Sequence, residues 1–330
     1  MAVGWAVVGT GDHLQRRMAP ALSRAADTRL AAVYSREAAR AEETAERFGF
    51  ARAYDSYAAL LKDDAVDAVY ICTPNSLHAE QTVQAARAGK HVLVEKPMAL
   101  TRGDAEAMVE ACEVADVRLG VGFHLRHHPA HREARRLIAE GHLGEPVLLD
   151  AKFIAASPRR DGWWQNPAMI GAYIMMARGV HLLDLICYLS AREPETVLLM
   201  SDGQRPERPL EETAVATLRL GEGTFATAFA ARATAGAPNA FSVYGTRGML
   251  QGIGTIGPEA TGTLRVSTGS TEGEVAYHGK DPFQEEIEAF NRAVHERRSP
   301  EASGRDGLRV VRITEALLES ARTGQTVRLP

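Results

Sequence analysis

Over residues 1–122, short unbroken apolar runs alternate with longer stretches in which apolar positions recur at helical spacing. The runs Gly4–Val8, Leu30–Tyr34, Ala68–Cys72, His91–Val94 and Arg118–Val121 read as strands. Between them, His13–Ala25, Glu37–Phe48, Ser56–Lys62, Leu77–Ala88 and Arg102–Ala115 read as helices. A strand covered on both faces needs no polar side, and Val69-Tyr70-Ile71-Cys72 has none. Strand and helix in strict alternation predict a doubly wound parallel sheet closed by right-handed crossovers.

The pattern changes in residues 123–330. A helix is predicted at Pro129–Glu140, stopped by Gly141, then a strand at Pro146–Ile154. A loop rich in Pro and Trp leads to an apolar helix at Met176–Leu189. From Thr196 to Tyr277, Thr, Val, Ala and Phe alternate with polar positions and are broken by Gly pairs such as Gly221/Gly223 and Gly252/Gly254. This predicts one large, mostly antiparallel open sheet, followed by helices at Pro282–Arg297 and Asp306–Thr323. The expected class is therefore α/β: an N-terminal domain (1–122) and a C-terminal α+β domain (123–330).

The 330 residues suffice for two domains, and a formal net charge of −4 is too mild to suggest nucleic acid or an anionic membrane surface. No uninterrupted apolar run reads as a bilayer span, and no basic region precedes the apolar strand that starts at Val3. The 3 cysteines, Cys72, Cys112 and Cys187, lie far apart, which argues against disulfides or a zinc site. A reduced cytoplasmic protein is expected.

Chemistry enters at the strand ends. The first strand runs into Gly9-Thr10-Gly11-Asp12-His13-Leu14. A glycine pair allows a tight turn and close approach of a pyrophosphate to a helix N-terminus. Leu14 stands where a third glycine is usual. A strand before the turn and a helix after it are the context of a dinucleotide-binding Rossmann domain. The second strand ends in Val33-Tyr34-Ser35-Arg36, with no carboxylate at its tip to receive a ribose 2′-hydroxyl. A hydroxyl and a guanidinium suit a 2′-phosphate, and Arg40 lies one helical turn beyond Arg36. NADP(H) is expected, with NAD(H) as the alternative. Glu37 opposes this charge argument, and the plainer reading leaves both arginines solvated. The fifth strand ends in Val94-Glu95-Lys96-Pro97, which places a lysine beyond the carboxyl end of a strand, where ligands of such sheets bind.

Several motifs together resemble the glucose-fructose oxidoreductase/inositol dehydrogenase/rhizopine catabolism (Gfo/Idh/MocA) family along essentially the whole chain. They are Gly9-x-Gly11, Thr73-Pro74-Asn75-Ser76-Leu77-His78, Ala88-Gly89-Lys90-His91-Val92-Leu93-Val94-Glu95-Lys96-Pro97, Phe123-His124-Leu125-Arg126-His127-His128-Pro129, Ile138 to Pro146, and Gly179-Val180-His181-Leu182-Leu183-Asp184. Val66 to Gly144 is especially similar to an NADPH-dependent sugar reductase of that family. The resemblance implies hydride transfer between a nicotinamide and a sugar, polyol or keto-sugar carbon. Lys96 would polarise the reacting oxygen and His181 would serve as general acid/base. Thr73, Pro74, Asn75 and His78 would line the cofactor channel, and Glu95 would help fix the nicotinamide and Lys96.

The sequence departs from that pattern at two places. Gly171-Ala172-Tyr173 replaces a glycine triplet, and Ala177 stands where an Asp is common, one turn before His181. Tyr173 is expected either to replace part of the lost carboxylate's hydrogen bonding at the site or to fill the space three glycines would leave. Arg178 and Arg126 are candidate substrate contacts, a helix-cap role being the alternative for Arg126. Trp163-Trp164 suits stacking on a sugar or nicotinamide ring. His124, His127, His128 and His131 cluster, but no carboxylate or cysteine completes a ligand set, so no metal is expected. His124 would face substrate.

Too few helices follow the large sheet to cover one whole face of it, so a homodimer or homotetramer through that sheet is expected. Two other functions remain open on the same fold. One is a non-catalytic NADP-binding sensor or regulator, and the other is an enzyme that keeps its cofactor bound for transient oxidation.

Overall fold

The computed structural model describes residues 2–203, 209–232, 236, 238–269 and 271–329. The chain forms two compact units: Met1–Phe123 with Phe283–Leu308, and His124–Pro282 with Arg309–Pro330.

In the first unit, β1 (Val3–Val8) leads through a π-helical turn (Leu14–Met18) into α1 (Ala19–Arg24). Then come β2 (Thr28–Tyr34), α2 (Ala38–Phe48), β3 (Arg52–Tyr54), α3 (Tyr57–Leu61), β4 (Ala68–Ile71), α4 (His78–Arg87), β5 (His91–Val94), α5 (Arg102–Val114) and β6 (Leu119–Val121). The six strands lie in the order β3-β2-β1-β4-β5-β6, all parallel. β3 has no counterpart in the sequence reading: three residues are too few to show a period. β1 and β4 are buried along their whole length, which is why they carry no polar alternation.

The C-terminal segment corrects the expected assignment of residues 123–330 to one domain. The helix Pro282–His295 places Phe283, Ile287 and Phe290 in the first unit's core beside Trp5, Leu14 and Met18. Trp5 donates from its indole to Asn291 at 2.9 Å and lies 5.3 Å from the Phe290 ring. The helix period showed its apolar face but not which sheet that face would cover.

The second unit continues with α6 (Pro129–Ala139), β7 (Pro146–Ile154), α7 (Pro167–Ile170), a π-helical turn (Met175–Gly179) and α8 (Val180–Ser190). Strands β8 (Pro194–Ser201), β9 (Thr213–Leu220), β10 (Phe225–Ala231), β11 (Ala240–Gly245), β12 (Gly248–Ile253), β13 (Thr263–Thr268) and β14 (Thr271–Glu274) follow. The chain ends in α9 (Pro282–His295), α10 (Gly304–Thr323) and β15 (Val327–Arg328). Nine strands form one sheet, β14-β13-β12-β11-β7-β10-β9-β8-β15. All its pairs are antiparallel except β10 with β7.

α8 lies against β7 and β10 and buries Leu149, Ala151, Ala226 and Ala228. By length and composition the segment Pro167–Ser190 is apolar enough to cross a membrane, although polar residues interrupt it. Most of it is buried inside the protein, so its apolar surface is already covered. On the opposite sheet face, Leu148, Met200, Phe225, Phe229 and Tyr244 are exposed. Leu148 pairs with both Phe225 and Tyr244 across neighbouring strands, so these side chains form one apolar patch.

Candidate active site

In the first unit, four of the expected site segments lie at the carboxyl ends of neighbouring parallel strands. The Gly9–Gly11 turn follows β1, Ser35–Arg36 follows β2, Thr73–Asn75 follows β4 and Glu95–Lys96 follows β5. Gly9 has φ +106, and a Cβ there would meet the Cys72 carbonyl oxygen at 3.1 Å. Around Gly11 a Cβ would meet nothing within 4 Å, leaving open space on the turn. Such a turn, with a helical segment opening behind it, fits the pyrophosphate of a dinucleotide. Thr10 is buried, Asp12 is exposed and 3.7 Å from Arg16, and Leu14 packs in the core. Leu14 is therefore a core residue and not part of a phosphate cradle, because the π-helical turn that begins there points it inward.

At the end of β2, the Ser35 hydroxyl is buried and accepts from the Glu37 N–H at 3.3 Å. Arg36 is exposed, and it forms no ion pair among the described residues. Arg40 is also exposed and lies 3.5 Å from Glu37. Arg36 is thus the cation available to a ligand, while Arg40 shares its charge with Glu37.

The Glu95 carboxylate is the hub of the β5 end. It accepts from the Tyr70 hydroxyl at 2.5 Å and the Lys96 N–H at 3.2 Å, and it lies 3.0 Å from His13 Nε2. Burial pushes its pKa up, but His13, Lys96 and Tyr70 together overcome this and hold it down at about 2. Glu95 is thus ionised at any working pH. Lys96 is half-buried, with its backbone fixed by this carboxylate. Tyr70 and Gly122 were not singled out from sequence, yet both shape the hub. A Cβ on Gly122 would come within 2.8 Å of the Glu95 carboxylate. The signals were slight: one phenol in an otherwise aliphatic strand, and one glycine just after β6.

The loop after β4 corrects one expectation. Thr73 donates to Gln81 at 2.6 Å, Pro74 precedes a short 3-10 turn, and Asn75 is buried. His78 is fully buried, with its ring nitrogens on two backbone carbonyls. It does not line a channel, because the first turn of α4 directs it into the protein.

In the second unit, His181 lies near the start of α8 and is buried. His124 meets it edge to face, the ring centroids 4.9 Å apart, and Phe153 lies 6.2 Å away. His124 Nε2 is 3.2 Å from the Gly257 carbonyl oxygen, which requires that nitrogen to carry a proton. The buried Glu211 carboxylate accepts from the N–H groups of Tyr173 and Met175 and so holds the helical segment that carries His181. Sequence reading passed over Glu211, since its partners are more than 30 residues distant.

Three expected substrate or catalytic contacts are committed elsewhere. Arg126 is buried and donates to Asp184 through Nε (2.9 Å) and Nη2 (2.6 Å), with its guanidinium 5.4 Å from the Tyr188 ring centroid. Arg178 donates to the carbonyls of Ala155 and Ala231 and to the Ser157 hydroxyl. The Tyr173 phenol accepts from the Arg160 N–H at 3.0 Å, so it braces the loop before α7. In each case burial obliges a polar group to find a local partner.

Trp163 and Trp164 stack on one another at 4.5 Å, half-buried, and Arg160 covers Trp164 at 4.4 Å. The other three histidines of the His124–His131 cluster are engaged in structure. His128 caps α6 through Ala130 N–H, His131 joins the Leu125 carbonyl to Thr255, and Arg132 donates to His127. Burial pushes His128 down to about 4 and holds His131 well below its ordinary value, so both stay neutral.

Comparison with known proteins gives full-length matches. Residues 3–123 match the oxidoreductase family model for an NAD-binding Rossmann fold, GFO_IDH_MocA, and residues 131–251 match the GFO/IDH/MocA C-terminal domain. The chain is 31% identical to 1,5-anhydro-D-fructose reductase of Ensifer adhaerens, covering 98% of both chains. It is 32% identical to D-xylose 1-dehydrogenase (NADP(+)) 2 of Haloferax volcanii, again covering 98% of both. Aldose-aldose oxidoreductase from Caulobacter crescentus, solved with glycerol, superposes with a TM-score of 0.93 at 28% identity over 100% of both chains.

Proposed function

From the premise that this chain belongs to the Gfo/Idh/MocA oxidoreductase family, we propose an NADP(H)-dependent oxidoreductase that acts on a CH–OH or C=O carbon of a sugar, polyol or keto-sugar. The observation that carries this reading is the row of strand ends in the first unit. The Gly9–Gly11 turn, Ser35–Arg36, Thr73–Asn75 and Glu95–Lys96 share one edge of one parallel sheet. Ligands of open α/β sheets bind at that edge.

Gly9, Thr10 and Gly11 would hold the pyrophosphate, with Thr73 and Asn75 bordering the nicotinamide end. Bound NADP(H) supplies or accepts the hydride at the reacting carbon. The Lys96 ammonium hydrogen-bonds the reacting oxygen and stabilises charge that develops there. Glu95, ionised and fixed, holds the Lys96 backbone and offsets the cationic charge around it. In the second unit, the buried His181 imidazole is the group that gives or takes a substrate proton. The ring that meets His181 is His124, so His124 supports its orientation where the family Asp is replaced by Ala177. Trp163 and Trp164 offer an aromatic face for a sugar ring.

The cofactor preference rests on Arg36, an exposed guanidinium at the tip of β2 that forms no ion pair among the described residues, Glu37 lying 3.5 Å from Arg40 instead. Fluorescence titration of the purified protein is expected to give tighter binding of NADPH than of NADH. In Arg36→Ala, NADPH binding should weaken about tenfold or more, the worth of one charge-assisted contact, while NADH binding stays unchanged. Equal loss for both nucleotides would defeat the 2′-phosphate assignment.

The exposed patch on the nine-stranded sheet supports a homodimer or homotetramer through that face. Met200 is 72% and Phe225 53% exposed, while Val197, Leu199, Ala226 and Ala228 on the other face of the same strands are buried. A contiguous apolar patch of this kind marks an association surface. Light scattering should therefore report a multiple of 35.7 kDa for the native chain and a smaller species for Phe225→Glu/Phe229→Glu. A native monomer at micromolar concentration would refute this.

A further inference from the structure

The loop after β4 and the turn after β5 are joined by one side chain. His78 opens α4 with no measurable exposure. Its Nδ1 lies 2.9 Å from the Pro97 carbonyl oxygen, and its Nε2 lies 2.9 Å from the Thr73 carbonyl oxygen. Carbonyls have no proton to give, so the ring supplies the N–H in either contact. Burying a polar ring is unfavourable unless it is hydrogen-bonded, and an apolar residue would fill the same space without that cost. The two carbonyls are therefore what this histidine serves.

Their positions give the bonds a function. Thr73 begins the loop at the cofactor end of β4. Pro97 is the residue after Lys96, whose own N–H is already held by Glu95 Oε2 at 3.2 Å. Lys96 is thus held on its amino side by Glu95, and its carboxyl side, through the Pro97 carbonyl, lies within hydrogen-bonding distance of His78. Burial pushes the imidazole below its ordinary value, against the pull of the Pro97 and Thr73 carbonyls. Of the charged groups around it, Glu95 favours the protonated ring and Lys96 disfavours it. A ring neutral at pH 7 carries one N–H for two acceptors, so its bonding responds to any shift of either loop.

We propose that His78 is a positioning residue, which fixes the Lys96–Pro97 turn against the Thr73 loop and so sets where the lysine amine stands when cofactor is bound. His78 touches neither cofactor nor substrate. The proposal rests on the redox reading given above. Displacement of a catalytic group by about 1 Å can cost on the order of 100-fold in rate.

His78→Phe keeps a ring of similar bulk and removes both nitrogens. His78→Gln keeps a group able to reach one carbonyl. The measurements are NADPH affinity by fluorescence, kcat and KM against pH, and the nitrogen-15 spectrum of histidine-labelled wild type with and without NADPH. In His78→Phe, kcat should fall about 10- to 100-fold with KM little changed. The shape of the kcat–pH profile should change, and His78→Gln should recover part of the rate. Wild-type kcat and pH profile in His78→Phe would overturn the proposal, as would a loss confined to KM.

If the Phe variant does not fold, the wild-type spectrum decides. One hydrogen-bonded N–H on His78 that shifts when NADPH binds supports the clamp, and nitrogens indifferent to NADPH refute it. A wild type that binds NADPH but turns over no sugar counts against the redox reading alone, because the spectrum tests His78 without substrate.

Discussion

Replacement of His181 by Asn is expected to lower kcat by about 10²- to 10⁴-fold, the usual worth of a positioned general acid/base. Lys96→Met should cost about 10²- to 10³-fold, as for loss of one donor to a developing oxyanion. The double variant should be no faster than the slower single one. NADPH binding should survive in all three, because the glycine turn and the β2 tip are untouched. The check is NADPH oxidation with a panel of keto-sugars, beside fluorescence titration of each variant. Retained turnover in His181→Asn would remove it from the chemistry. The wild type must oxidise NADPH with at least one sugar for the scheme to stand.

The second large effect is on stability. Arg126 and Asp184 form a two-pronged ion pair with side-chain exposures of 5% and 1%. It ties the turn His124–His127 to α8, three residues beyond His181. Arg126→Met leaves the carboxylate buried without the guanidinium, and breaking one side of such a pair costs about 3–5 kcal/mol. Urea denaturation should show a lower midpoint at unchanged slope. Arg126→Met/Asp184→Leu should recover much of the loss, because no charge then remains buried. A single-variant loss below about 1 kcal/mol would mean that water reaches the pair and screens it. The substrate-contact reading of Arg126 makes the opposite forecast: little change in stability and a raised KM.

These two predictions differ in how far the sequence alone supports them. The position of Lys96 at a strand end was visible because its signal is local: an aliphatic run, then Glu95, Lys96 and Pro97, with the strand end defined by residues adjacent in sequence. The doubly wound sheet was visible for the same reason, since the period of apolar positions is set by the faces a strand or helix must bury. The helix start at Pro129 followed from the same local chemistry, with proline at the first helical position.

Partners far apart in sequence left no such trace. Arg126 and Asp184 are 58 residues apart, and Tyr70 and Glu95 are 25 apart. Sequence showed that Arg126, Arg178, Tyr173 and His78 were polar groups near the motifs, and each was a fair candidate for substrate or cofactor. Only the folded chain shows that Arg178 serves the carbonyls of Ala155 and Ala231, and that Tyr173 braces Arg160. Likewise, the apolar stripe of α9 was legible, but its return to Trp5 in the first unit was not.

The physical reason is common to all these cases. Hydrophobic period and turn chemistry are properties of neighbouring residues and determine the elements and the strand-end positions of the chemistry. A buried donor or acceptor must be satisfied by whatever the fold brings to it, and that partner is chosen by packing across the chain, so the tertiary structure alone decides which polar residues remain for a ligand.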